Sequence, residues 1–178
     1  TYRPISSQVN LPAMEHEILA FWQEHSIFRK SLKAREGAPS WTFYEGPPTA
    51  NGAPGTHHIE ARVFKDVFPR FHTMKGKYVL RKAGWDCHGL PVEIAVEKEL
   101  EFTGKGDIEK FGIAPFNEKC RESVQRHVGA FTEMTRRMGF WVDFDEAYWT
   151  MSPEYIQSVW WSLKQIWKKG LLVQDHRV

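Results

Sequence analysis

A chain of 178 residues that is 42% hydrophobic is long enough to bury the core of one domain. Its formal net charge of +2 is too small to argue for nucleic acid by itself, and no apolar run approaches the roughly 18 residues that a membrane span needs. Cys87 and Cys120 lack metal-type spacing and a second pair, which argues against zinc and a disulfide framework; no signal-peptide pattern opens the chain, so a cytoplasmic protein is the default expectation.

In chain order, Met14, Ile18, Phe21, Trp22 and His25 recur at helical spacing, with Pro12 placed for a first turn. Gly37-Ala-Pro-Ser40 is expected to break this helix before a short apolar strand, Trp41 to Tyr44. The glycine- and proline-rich run Glu45-Gly-Pro-Pro-Thr-Ala-Asn-Gly-Ala-Pro-Gly-Thr-His-His58 follows. Backbone amides at a helix start, with glycines that allow close approach, are a usual way to hold phosphate.

From His57 the positions Ile59, Val63, Val67 and Phe71, widened by Phe64 and Phe68, predict a well-buried helix. Pro69 is expected to kink or end it near Phe68. Lys77 to Lys82 predicts a second strand, parallel to the first, in a right-handed βαβ unit. Just past it, Gly84-Trp-Asp-Cys-His-Gly-Leu-Pro-Val-Glu93 places the carboxylate of Asp86 at the sheet edge where open α/β folds bind ligands. A phosphate cradle beside a lone acid suggests a nucleotide plus a small cationic group.

Beyond Glu93 the pattern turns helical over Val92 to Leu100, Asp107 to Phe111, and Pro115 through Met138. Cys120, Val124, Phe131, Met134 and Met138 share one face of the last with a mild phase drift. The final helix is the clearest: Ser152 caps, Pro153 takes the first turn, and Ile156, Val159, Trp160, Leu163, Ile166 and Trp167 form the stripe. Gly170 stops it, and Leu171 to Val178 reads as a strand. Trp160 and Trp161 read as core and surface cover, and Arg136-Arg137 and Lys168-Lys169 as solvated faces.

The two quoted motifs together resemble the class I aminoacyl-tRNA synthetases, and within them the isoleucine-specific branch. Pro48 to His58 looks like that family's HIGH-motif segment, and Gly84 to Glu93 like its amino-acid-pocket segment. The likeness runs from about Met14 to the last residue. The family's usual tetrad is His, an apolar residue, Gly, His; here Gly55-Thr56-His57-His58 departs from it, and His58 alone keeps its place. His57 either supplies the missing imidazole or faces solvent.

The resemblance implies an α/β fold, the first half of a Rossmann-like nucleotide-binding catalytic domain with a helical insertion and an incomplete sheet. It implies an amino-terminal helical segment over 1–40, the βαβ nucleotide and amino-acid site over 41–93, the insertion over 94–151, and a helix and strand over 152–178 leading toward an absent editing insertion. The family's Lys-Met-Ser-Lys-Ser loop is not in this sequence, so the chain is expected to be the amino-terminal half of a catalytic domain. The implied activity is ATP-dependent activation of L-isoleucine and charging of tRNA(Ile), weak or absent in this chain alone.

ATP would be held by Pro48, Asn51, Gly52, Pro54, Gly55, Thr56, His57 and His58, the two histidines being catalytic. Gly46, Pro47, Asp86 and His88 would hold the amino acid, with Asp86 on its α-ammonium; Mg²⁺ would arrive with ATP, and no metal ligand is expected. Plainer readings stand beside these: the glycines as a tight turn, Asp86 as a turn cap, His88 as core packing, Cys87 as a free thiol with no base partner. The alternatives are a valyl- or leucyl-type synthetase, another class I-like nucleotidyltransferase, or a non-catalytic binding or folding module.

Overall fold

The computed structural model describes residues 8–176. Two helices open it, α1 (Leu11–Glu24) and α2 (Ile27–Lys33). Asn10 caps α1, its Oδ1 accepting the Ala13 amide at 3.2 Å, and Pro12 sits in the first turn, where a missing N–H costs nothing. The break comes earlier than Gly37: Ser26 adopts left-handed backbone, φ 50°, and separates the two helices. Of the α1 stripe, Trp22 packs edge-on against Trp141, ring centroids 5.0 Å apart, while Met14, Ile18 and Phe21 stay exposed.

Trp41 to Tyr44 does not form the expected strand. The chain there meets its neighbour only through isolated parallel bridges, Ser40 with Tyr78 and Thr49 with Asp86. Trp41 N–H donates to the Tyr78 carbonyl at 2.9 Å and Asp86 N–H to the Pro48 carbonyl at 3.0 Å. Pro47 and Pro48 have no N–H to give, so a continuous ladder cannot form along this stretch.

Helix α3 (Thr56–Met74) runs through Pro69 instead of ending there. The Pro69 carbonyl accepts from Thr73 Oγ1 at 2.7 Å and from Arg81 Nη2 at 3.1 Å, which ties that turn to the chain beyond the helix. The expected burial of its apolar stripe is reversed. Arg62 and Pro69 are its buried residues, whereas Ile59, Val63, Phe64, Val67, Phe68 and Phe71 are between 40% and 65% exposed. The inward face is held by polar chemistry: Arg62 Nε donates to Thr135 Oγ1 at 2.9 Å, and Arg70 bonds both Asp66 and the Gly139 carbonyl.

The second strand also shifts. Strand β1 spans Lys82–Trp85 instead of Lys77 to Lys82, because its partner, β2 (Asp143–Trp149), lies opposite the later residues only. The two strands run parallel and pair Lys82 with Asp143, Gly84 with Tyr148 and Trp85 with Trp149, the register slipping between Lys82 and Gly84. Acidic Asp143, Asp145 and Glu146 give β2 no strand signal in the sequence.

Helices α4 (Leu90–Glu99), α5 (Lys105–Phe111), α6 (Ile113–Arg126) and α7 (Val128–Arg137) lie between the strands. The single pattern from Pro115 to Met138 divides at His127, which accounts for its phase drift. Val124 and Phe131, on either side of the break, reach one core with Ala50, Trp85, Cys87 and Val92. Each such side chain contributes roughly 1.5–3 kcal/mol by leaving water. The core therefore joins the glycine-rich run, the end of β1 and three helices.

Helix α8 (Pro153–Lys168) closes the chain with Ser152 Oγ accepting the Tyr155 amide at 3.2 Å. Its stripe faces outward, and Trp160 and Trp161, 67% and 64% exposed, are not core. Leu171 to His176 forms no strand, and the rest of that expected strand lies outside the described residues. The whole is an α/β arrangement with one two-stranded parallel sheet among the described residues, as an incomplete Rossmann-like half requires.

Candidate functional site

Asp86 leaves the end of β1 half-buried, between Trp85 and Cys87, which are 4% and 6% exposed. Its carboxylate is held on both oxygens. Thr49 Oγ1 donates to Oδ2 at 2.9 Å, and Thr150 Oγ1 lies 3.4 Å from Oδ1. Thr150 Oγ1 also accepts the Cys87 amide at 2.9 Å and lies 3.2 Å from Nδ1 of His88, whose side chain is exposed. A hydroxyl has one hydrogen, so Thr150 gives it to Asp86 when His88 Nδ1 carries its own proton.

The glycine-rich run ends at Gly55, the residue before α3. His58, the third helical residue, accepts the Gly55 amide on Nδ1 at 2.9 Å, which fixes the neutral tautomer with hydrogen on Nε2. The Thr56 and His57 amides, in the first turn, have no acceptor among the described residues, the ordinary state of amides at a helix start. His57 is exposed, yet its ring folds back over Gly55: a Cβ there would lie 3.0 Å from His57 Cε1. The imidazole thus fills space that a side chain at position 55 would need. Its ring centroid is 3.9 Å from that of His58.

Burial holds the His58 pKa below the ordinary histidine value of 6.5, and the neighbouring His57 and Arg62 charges push the same way. The neutral ring is the native form, so the stability it brings is complete above pH 6.5. That stability is lost progressively as pH falls from there through the lowered native value, because the unfolded chain takes up the proton first. Urea unfolding should therefore require less denaturant at about pH 5.5 than at neutral pH. His58→Gln keeps an acceptor for the Gly55 amide without a titrating ring and should flatten that difference; a wild-type midpoint independent of pH would contradict the assignment.

The remaining predicted residues fall around these two poles. Gly46 accepts Lys65 Nζ on its carbonyl at 2.6 Å, and Pro47 and Pro48 are half-buried. Asn51 Nδ2 donates to the Pro91 carbonyl at 3.2 Å, tying the run to α4; the space above Gly52 is open, and Pro54 is half-buried. The two poles share a wall. Phe131 meets the His58 ring edge-on at 4.8 Å and the Trp85 ring at 6.5 Å. Arg62, one turn beyond His58, places its guanidinium 5.5 Å from the Phe131 ring centroid, donates to the His58 carbonyl at 3.3 Å and is 5% exposed.

Sequence reasoning missed Thr150 and Arg62, and quoted Thr49 without assigning it. Tyr148 and Thr150, two apart at the end of an unrecognised strand, carried the available signal. Burial pushes the Cys87 thiol pKa up, which keeps it protonated and inert at neutral pH. A groove of about 820 Å³ lined by Trp22, Phe28, Phe140 and Trp141 lies elsewhere and holds none of the candidate residues. Among the described residues no cluster of three His, Cys, Asp or Glu could hold a metal, and no helix is long and apolar enough to cross a membrane.

Residues 17–178 match the family of tRNA synthetases class I (I, L, M and V). The chain is 71% identical over 174 residues to the isoleucine–tRNA ligase of Thermobifida fusca, covering 98% of this chain and 16% of that protein. Against the isoleucine–tRNA ligase of Thermus thermophilus the identity is 52% over 169 residues, covering 95% and 16%. The chain thus spans about a sixth of the length of these curated relatives. Among solved structures, the LeuRS–tRNA–LeuAMS ternary complex of Agrobacterium radiobacter K84 shares the fold, with TM-score 0.62 and 20% identity over 90% of this chain and 18% of that one.

Proposed function

The chain belongs to the class I tRNA synthetases of the I, L, M and V group, and from that premise we propose that it builds the amino-acid pocket and the first phosphate contacts of an isoleucine-activating site in a longer synthetase. The observation that carries this reading is the Asp86 carboxylate, gripped by Thr49 and Thr150 beside the loop that leads to the helix start of α3. No paired-carboxylate or Ser-His-Asp set is evident in the candidate site. Attack of an amino-acid carboxylate on the α-phosphate of ATP needs none, only alignment and charge stabilisation.

In this mechanism Asp86 pairs with the α-ammonium of L-isoleucine and turns the substrate carboxylate toward α3. Gly46 and Pro47 line the substrate backbone and side chain, and His88 closes the pocket edge. His58 offers its Nε2 hydrogen, and the Thr56 and His57 amides offer theirs, to phosphate oxygens of ATP. His57 supplies the second imidazole, in place of the histidine that the family usually carries where Gly55 stands. Pro48, Asn51, Gly52 and Pro54 shape the approach. The carboxylate oxygen bonds to the α-phosphorus as the bond to pyrophosphate breaks, giving isoleucyl-adenylate for transfer to tRNA(Ile).

Mg²⁺ would arrive with ATP, held by the phosphates. The reading places the protein in the cytoplasm with the rest of the translation apparatus. Its test is amino-acid-dependent exchange of labelled pyrophosphate into ATP by the longer synthetase. Isoleucine should support exchange in preference to leucine, methionine and valine. Preference for any of the other three would remove the isoleucine assignment.

A further inference from the structure

Gly84 in β1 pairs with Tyr148 in β2, and the pairing leaves no room for a side chain at position 84. A Cβ on Gly84 would lie 2.4 Å from Tyr148 Cζ and 2.5 Å from Cε1, so the tyrosine ring lies directly across the strand. From there its hydroxyl donates to the Glu45 carbonyl at 2.6 Å. A cation ties the same stretch of chain: Lys65 Nζ bonds Glu45 Oε1 at 2.7 Å and the Gly46 carbonyl at 2.6 Å. Glu45 is 8% exposed, so its own end of these ties is shielded from water. Tyr155 stacks on Tyr148, planes 4° apart, and holds the ring from the outside.

The next alternate residue beyond the strand, Thr150, grips Asp86. Side chains two apart on extended chain face the same way. One short segment therefore holds both sides of the candidate amino-acid pocket: Thr150 the carboxylate, Tyr148 the Glu45-Gly46-Pro47 wall. Building on the isoleucine-site reading, we propose that Tyr148 is a positioning residue for the amino-acid pocket, setting the Gly46–Pro47 wall through the Glu45 carbonyl, and that Gly84 is glycine to admit it. Tyr148 does not ionise in this role. Burial first, then the nearby Glu45, push its pKa up to about 12, so the hydroxyl remains a donor throughout the working range.

Nothing in this arrangement touches the α3 helix start, so its loss should weaken one substrate and spare the other. In the longer synthetase, Tyr148→Phe removes the hydroxyl and keeps the ring. Loss of one such bond to a buried carbonyl should raise the KM for isoleucine about fivefold to tenfold. The KM for ATP and the melting temperature should stay near wild type, and the preference for isoleucine over valine should narrow. Gly84→Ala keeps every hydroxyl but displaces the ring, and should reproduce the isoleucine effect. A wild-type KM for isoleucine in Tyr148→Phe, or a parallel rise in both KM values, would overturn the proposal. If the wild-type enzyme prefers a different amino acid, the isoleucine assignment alone falls, and the same KM split is then scored on the preferred substrate.

Discussion

Replacing Asp86 by alanine should raise the KM for isoleucine about a hundredfold while the KM for ATP changes by less than about twofold. The magnitude follows from removing one partner of a hydrogen-bonded charge pair, which costs on the order of 2–5 kcal/mol, with about 1.4 kcal/mol per factor of ten. The selectivity follows from the geometry. Asp86 is anchored by Thr49 and Thr150 at the end of β1, whereas the phosphate contacts proposed above would come from the start of α3. Asp86→Asn separates charge from shape, because the amide oxygen still accepts from one threonine. It should lose nearly as much as the alanine variant. Steady-state exchange kinetics with each substrate varied in turn check the split, and an unchanged KM for isoleucine would remove Asp86 from the pocket.

The opposite signature is expected at the helix start. In the proposed mechanism His58→Ala removes a preorganised donor to developing phosphate charge, a loss that typically lowers kcat by about a hundredfold to a thousandfold. It also removes the acceptor for the Gly55 amide, so some stability goes with it, and His58→Gln controls for that loss by keeping the cap. Isoleucine binding should be nearly unaffected in both. His57→Gly restores the small residue usual at that place and opens the space beside Gly55. With the imidazole acting in the reaction, its loss should be comparable to that of His58→Ala. Near-normal kcat in His57→Gly would make His57 a bystander.

The helices were legible from spacing and caps. Ser152 and Pro153 start α8 and Pro12 lies in the first turn of α1, because helix starts are a local matter between a few side chains and the next amides. The strands were not. Trp41 to Tyr44 has the apolar composition of a strand yet makes only bridges, and β2 has acidic composition yet forms a ladder. Strand formation depends on a partner that no local pattern specifies.

Burial was misjudged for the same reason. Ile59, Val63, Val67 and Phe71 do share one face of α3, but that face points outward while Arg62, Asp66 and Arg70 make the inward contacts. In the candidate site, Asp86 and His58 were visible as motif members. Thr150, which grips Asp86, and Tyr148, which holds the Glu45 carbonyl, were not, because they lie 64 and 103 residues from their partners.

The pairing of Asp86 with an ammonium group is tested most directly by binding of isoleucinol, which carries the ammonium and the side chain of isoleucine but no carboxylate. Calorimetric titration of the longer synthetase and its Asp86→Ala variant should show the Kd for isoleucinol weakened by tenfold or more in the variant, as expected for a lost ion pair worth more than about 1.4 kcal/mol. The desamino analogue, 3-methylpentanoic acid, should bind both proteins equally. Equal affinity of the two proteins for isoleucinol would contradict the account at its centre, since no ammonium would then rest on Asp86.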